Sequence, residues 1–154
     1  MNKQDLTLLT DLYELTMMQG YYKKGQHETV VFDVFYRHNP CGNGYSVCAG
    51  LDQVIDYIKN LNFTYEDVDY LRSLHIFDDD FLQYLSGFHF TGDIYAIPEG
   101  SVVFPKEPLL KVIAPIMEAQ LVETTILNHR RPHSVSAPYP GKSPLPASRF
   151  AARP

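Results

Sequence analysis

Six of the eleven prolines in this 154-residue chain fall within its last 26 residues, and that crowding decides where a core can form. Proline has no backbone N–H and a fixed φ, so His129 to Pro154 cannot sustain a regular helix or a central strand. The same boundary divides the charge. All 18 acidic residues lie in 1–128 beside eight Lys and Arg, giving −10, whereas the tail carries five Lys and Arg and no acid, giving +5. With little apolar surface to offset the entropy of ordering, the tail is expected to be disordered. A jump of this kind at one residue also resembles a change of reading frame; a genomic sequence in which another frame continues beyond Asn128 would support that origin. The fold must therefore be built by residues 1–128, enough for one domain with a core.

Periodicity divides those residues into elements. Residues 8–24 read as a helix with Leu8, Leu12, Leu15, Gln19 and Tyr22 on one stripe and Thr10 or Asp11 near its start. At about 100° per residue, Tyr13 falls about 120° away from that stripe. Glu28 to Arg37 alternates as a strand, with Val30, Phe32, Val34 and Tyr36 facing a core and Val31, Asp33, Phe35 and Arg37 on the other side. A turn at Asn39 to Gly44 leads to a helix carrying Val47, Leu51, Val54, Ile55, Ile58 and Leu61. Thr64 and Asp67 have the spacing of a helix cap ahead of Val68, Leu71 and Leu74. A fourth helix with Phe81, Leu82 and Leu85 should end at Ser86-Gly87. Phe90 to Ile97, Ser101 to Phe104 and Pro108 to Ala114 read as three strands of one small β unit. A last helix runs from Pro115 to about Asn128 and is apolar nearly all round, so it needs partners on every side. Lacking them, it would expose a contiguous patch and solubility would be weak.

Chemistry is harder to find than structure. Cys41 and Cys48 are the only thiols, too few for a zinc site or disulfide framework, and are read as buried or loop thiols of a reducing compartment. Gly42 and Gly44 lack the Gly-Lys-Ser/Thr of a phosphate loop and are read as a turn. Asp78, Asp79 and Asp80 suit a helix start better than a metal site. The six histidines show no ligand spacing, and no serine sits in a nucleophile elbow. Arg130, Arg131, Lys142, Arg149 and Arg153 could neutralise phosphates, yet the tail has only Tyr139 and Phe150 as aromatics and no amphipathic pattern. No nucleic-acid or membrane partner is expected. A polar start, Met1 to Asp5, and the lack of any run of about 20 apolar residues predict a cytoplasmic chain without a leader.

Three blocks carry a resemblance to a known family. Thr10-Asp11-Leu12-Tyr13-Glu14-Leu15-Thr16-Met17 is similar to the N-terminal signature of nicotinate phosphoribosyltransferases. Phe35-Tyr36-Arg37-His38-Asn39-Pro40 resembles that family's Phe/Tyr-Arg-x-Asn-Pro block, and Glu118 to Thr124 resembles the segment leading into its barrel. The resemblance covers residues 5–128. It implies an α/β (α+β) N-terminal domain of a type II phosphoribosyltransferase, with the family's irregular α/β barrel largely absent from this chain. It also implies nicotinate and phosphoribosyl pyrophosphate as substrates, ATP and Mg²⁺ as cofactors, and a homodimer with active sites at the interface. By the same resemblance Tyr13 would stack on the pyridine ring of nicotinate bound in the other subunit, and Arg37 would approach the phosphates of the phosphoribosyl donor. From the residues themselves two plainer roles stay open: Tyr13 closing a core edge, and Arg37 pairing with Asp33 on its own face.

None of the six histidines matches the family's phosphorylated histidine, which belongs to the barrel, so no catalytic residue is assigned in this chain and no nucleotide or metal is expected bound to it. Residues 1–154 alone are expected to have no transferase activity, because two peripheral contacts cannot preorganise a charged transition state. Two other kinds of protein remain open. One is a non-enzymatic dimerisation or assembly module derived from the family; the other is a carrier module built on Phe90 to Ala114 around Lys106.

Overall fold

The computed structural model describes residues 7–39, 44–129 and 131–133, with eleven elements in the order α1 (Leu12–Lys23), β1 (Thr29–Val34), β2 (Ser46–Ala49), α2 (Leu51–Asn60), α3 (Tyr65–Ser73), α4 (Asp79–Ser86), β3 (Asp93–Ala96), β4 (Val102–Val103), β5 (Leu110–Pro115), α5 (Ile116–His129) and β6 (Arg131–His133). Two three-stranded antiparallel sheets form, ordered β1-β5-β3 and β4-β2-β6. This is the mixed α/β domain expected, and no closed barrel is present among the described residues.

The last helix of the domain is its centre. Met117, Ala119, Leu121, Val122 and Ile126 of α5 are at most 2% exposed, and α1, α2, β1 and β5 all pack against the helix. An apolar circumference did demand partners on every side, and this chain supplies them itself; the expectation of a large uncovered patch is corrected. Of the large apolar side chains of α5, Leu127 alone stays exposed. Phe81, Leu82, Leu85, Val54 and Met18 complete the same core, which the inward faces of β1 and β5 close from below.

Several expectations shift for physical reasons. On α1 the buried side chains are Glu14, Leu15 and Met18, while Leu12 is exposed, a rotation of roughly 80° from the stripe of leucines. Contact with α5 sets that face. Val47 belongs to strand β2, not to a helix, and Gly50 at φ 93° separates the strand from α2. Only glycine adopts that conformation freely. In α2 it is Tyr57, not Ile55, that is buried alongside Val54. The strand after Glu28 ends at Val34; past it the opposing segment leaves the regular ladder, Leu109 N donating to the Val34 carbonyl at 2.7 Å and Lys106 N to that of Tyr36 at 2.8 Å. The three short strands do not make one unit: β3 and β5 join β1, whereas β4 pairs with β2 in the other sheet. A carrier module on Phe90 to Ala114 is thereby excluded. Pro115 closes β5, and α5 begins one residue later.

Arg131–His133 pair antiparallel with Ala49 to Val47, so this part of the tail is a strand, contrary to the expectation of disorder. Prolines are tolerated on an edge strand, where one side of the backbone needs no partner. Residues 134–154, and with them most of the tail reading and its frameshift alternative, lie outside the described residues, as do Cys41 and Gly42. No helix among the described residues is long and apolar enough to cross a membrane.

The local signals hold well. Thr64 and Asp67 form the full capping box of α3, with Asp67 N donating to Thr64 Oγ1 at 3.2 Å and Thr64 N to Asp67 Oδ2 at 2.8 Å. Gly87 ends α4 as expected. Asp78 occupies the N-cap position of α4 without a side-chain cap bond; its carboxylate instead pairs with Lys23 Nζ at 2.5 Å, and its N–H donates to Gln19 Oε1 at 2.6 Å. These contacts tie α4 to α1.

Candidate functional site

Tyr13 sits in the first turn of α1 with half of its surface exposed. Its position away from the helix's buried face leaves the ring available. Partial burial, then the nearby carboxylates of Glu123, Glu14 and Asp11, hold its phenol above the ordinary value, so it is a neutral aromatic surface at physiological pH.

Beneath Tyr13 lies a feature that sequence periodicity did not identify. Glu14 is completely buried between α1 and α5. Thr124 Oγ1 donates to Glu14 Oε1 at 2.8 Å and lies 3.2 Å from Asp11 Oδ2, and Thr10 Oγ1 donates to Glu14 Oε2. Burial raises the Glu14 pKa, and Glu123 adds to the rise, while the two threonine hydroxyls and the backbone at Asp11 oppose it. Tyr57 approaches from α2 with its hydroxyl buried and unbonded. Thr125 Oγ1 faces it but is committed to the Leu9 carbonyl at 2.8 Å, and burial pushes the Tyr57 phenol up to about 12. These polar groups fix the first turn of α1, and hence Tyr13, on α5. The sequence did carry one signal: Glu14 is four residues before Met18, so any face that buries the methionine tends to bury the glutamate too.

Arg37 lies just beyond β1 and is exposed. Its supposed partner is engaged elsewhere, since Asp33 Oδ1 is 3.8 Å from Lys111 Nζ of β5. The residues flanking Arg37 are well anchored. Tyr36 Oη reaches the Val103 carbonyl at 2.8 Å and Asn39 Oδ1 at 2.9 Å, and the buried Ser46 donates to the same Asn39 oxygen at 3.3 Å. Burial raises the Tyr36 pKa, with Glu107 and Cys48 adding to the rise and the Ser46 hydrogen bond opposing it, which leaves its hydroxyl protonated for these bonds.

Between β1 and α5 runs an open groove of about 380 Å³ lined by Val31, Asp33, Val112, Ala119, Glu123 and Leu127 among others. Neither Tyr13 nor Arg37 lines it. Among the described residues, no three carboxylate, histidine or thiolate groups converge on a metal position.

Comparison with known proteins gives this geometry a lineage. The family described as the nicotinate phosphoribosyltransferase (NAPRTase) N-terminal domain matches residues 8–129. The chain is 48% identical over 130 residues to nicotinate phosphoribosyltransferase pncB2 of Mycobacterium tuberculosis, covering 84% of this chain and 28% of that protein. With the nicotinate phosphoribosyltransferase of Bacillus subtilis it shares 45% over 124 residues, covering 80% of this chain and 25% of the other. The crystal structure of human nicotinic acid phosphoribosyltransferase superposes with a TM-score of 0.71 at 33% identity, over 78% of this chain and 25% of that one. A nicotinate-nucleotide pyrophosphorylase from Pyrococcus furiosus, at 20% identity and a TM-score of 0.59, shares the fold. The chain spans about a quarter of the length of these relatives, and over that span it belongs to the nicotinate phosphoribosyltransferase family, as a representative of its N-terminal domain.

Proposed function

We propose that this chain supplies the N-terminal part of a nicotinate phosphoribosyltransferase, which joins nicotinate to the phosphoribosyl group of phosphoribosyl pyrophosphate in the salvage of NAD. The observation that carries this reading is the family match over residues 8–129, together with Tyr13 held half-exposed on a turn that buried hydrogen bonds make rigid. Tyr13 stacks its ring on the pyridine of nicotinate held by another subunit of a homodimer. A neutral phenol suits this contact, because it brings no charge to repel the nicotinate carboxylate. Arg37 directs its planar guanidinium to the phosphates of the donor, where paired N–H groups match phosphate oxygens. When bound, ATP supplies the free energy of its hydrolysis and Mg²⁺ neutralises phosphate charge; the described residues contribute no cluster to hold that ion. The cytoplasm is the proposed compartment.

Alone, the chain lacks the groups that would stabilise the transition state, and it is inactive. The test is a chimera in which residues 8–129 replace the matching segment of the Bacillus subtilis relative. Nicotinate mononucleotide formation is expected from the chimera and not from the isolated chain. Changing Tyr13 to alanine in the chimera should raise KM for nicotinate about two- to tenfold, the worth of one stacking contact of about 0.5–1.5 kcal/mol. A chimera as active with alanine as with tyrosine would refute the assigned role.

A second reading, a non-enzymatic assembly module, rests on exposed apolar side chains at Leu12, Tyr13 and Met17 of α1. Co-purification with a longer family member, with no turnover contributed by this chain, would favour it.

A further inference from the structure

Cations are scarce in the first 128 residues, eight against 18 carboxylates, yet two of them, Arg37 and Lys106, lie on backbone segments that are hydrogen-bonded to each other beyond the end of β1. The Lys106 backbone N–H donates to the Tyr36 carbonyl at 2.8 Å, which sets residue 106 beside residue 37. Both Arg37 and Lys106 are exposed. Among the described residues neither has a carboxylate within ion-pair distance. The nearby acids are occupied: Asp33 is matched by Lys111 at 3.8 Å, and Glu107 Oε2 turns back to accept from Phe104 N at 3.3 Å.

The backbone at Lys106 makes this pairing more pointed. Its φ is 69°, in the left-handed region that L side chains rarely adopt and glycine enters freely. Among the described residues the other non-glycine with positive φ is His75 at 57°, which follows the C-cap of α3, a place where helices commonly end in this conformation. Lys106 instead follows Pro105 in a turn that Glu107 N closes to the Phe104 carbonyl at 3.4 Å, at the position where the chain needs a positive φ. A glycine would complete the Pro105-Lys106-Glu107 turn with less strain, so the lysine side chain comes at a cost to the turn.

We propose that Lys106 and Arg37 form a two-cation clamp for a small phosphorylated ligand. This deepens the reading above and rests on it for Arg37 alone; Lys106 has no role there. The guanidinium offers a planar fork for one phosphate and the ammonium a mobile point charge for a second. The ligand is small and free, because a long polyanion would meet the repulsion of a domain whose first 128 residues carry −10.

Pyrophosphate titrated into the 154-residue chain at low salt, followed by amide NMR shifts and calorimetry, tests the clamp. Saturable shifts are expected at residues 36–37 and 105–107. Lys106→Gly should raise Tm while weakening pyrophosphate binding about fivefold, and Lys59→Ala, an exposed lysine of α2, should leave it unchanged. Binding that is absent, that shifts only the basic residues after 129, that survives Lys106→Gly, or that falls equally in Lys59→Ala would overturn the proposal. No nicotinate is present in the titration, so its outcome is independent of whether Tyr13 meets a pyridine ring.

Discussion

Replacing Gly92 by alanine should cost this domain about 3 kcal/mol before any offset, from overpacking together with the strain it transmits to neighbouring hydrogen bonds. A Cβ built at residue 92 would sit 2.4 Å from Ala114 Cβ, 2.7 Å from the Ile113 carbonyl oxygen and 2.9 Å from Ala114 Cα. Carbon atoms prefer about 3.5–4.0 Å, so β3 and β5 would have to part by about 1 Å. No flexible side chain can give way, since every one of these atoms belongs to the backbone or Cβ of β5. The neighbouring anchor also suffers. Thr91 donates through N and Oγ1 to the buried Glu118 carboxylate at 2.6 and 2.8 Å, and a displaced strand lengthens both bonds. Alanine gains back about 0.4–1 kcal/mol by restricting the unfolded chain, leaving a net loss of about 2–3 kcal/mol. For a domain of this size that corresponds to a fall in Tm of about 10 °C. Urea unfolding followed by circular dichroism would read it as a lower midpoint at constant m-value. Gly20→Ala is the internal control: nothing lies within 4 Å of its added Cβ, and the position is inside α1, so it should stabilise by about 0.5–1 kcal/mol. A Gly92→Ala protein that unfolds within about 0.5 kcal/mol of the parent would refute the close approach of β3 to β5.

Two further outcomes follow from the buried polar groups. Because the Glu14 pKa is raised in the folded protein, the native state holds its proton more tightly than the unfolded chain. Its contribution to stability is therefore fully present below the unfolded value and lost as pH rises through the folded one. Glu14→Gln should remove that loss while keeping partners for both threonine hydroxyls, so stability measured from pH 4 to 8 should fall less steeply with pH than in the parent; an identical slope would show that the carboxylate is not the source. Thr64→Ala removes the hydroxyl that caps α3 and should cost about 1 kcal/mol, with faster amide exchange at Asp67; unchanged exchange there would count against the capping box.

What the sequence revealed follows the range of the interactions involved. The cap of α3 was legible because Thr64 and Asp67 are three residues apart, and the alternation of β1 was legible because it needs no partner. Tyr13 was read off the core stripe of its helix and Arg37 on the second face of its strand by the same local geometry, and both are exposed. The face of α1 was misjudged because it is set by α5, more than a hundred residues away, where Thr124 holds Glu14 and Thr125 holds the Leu9 carbonyl just ahead of the helix. Val47 fits a helix stripe and a four-residue strand equally well, and only its pairing with Val102 and His133 decides between them. Lys106 drew notice only as the centre of a possible carrier turn, because neither its φ nor the Tyr36 carbonyl opposite it leaves a local signature.

The placement of α5 governs the order in which this fold can be made. Thr29 pairs with Pro115 and Val34 with Leu110, and the helix on which α1 rests is the last one of the domain. Long-range pairing of this kind is slow to form, since the intervening chain must close before any contact rewards it. During synthesis the first hundred residues emerge with their apolar faces unmatched, and the core can assemble only once Ile116–His129 has left the ribosome. The nascent chain accordingly passes through an interval in which the edge of β1 has no partner strand, the condition under which unpaired edges favour misassembly.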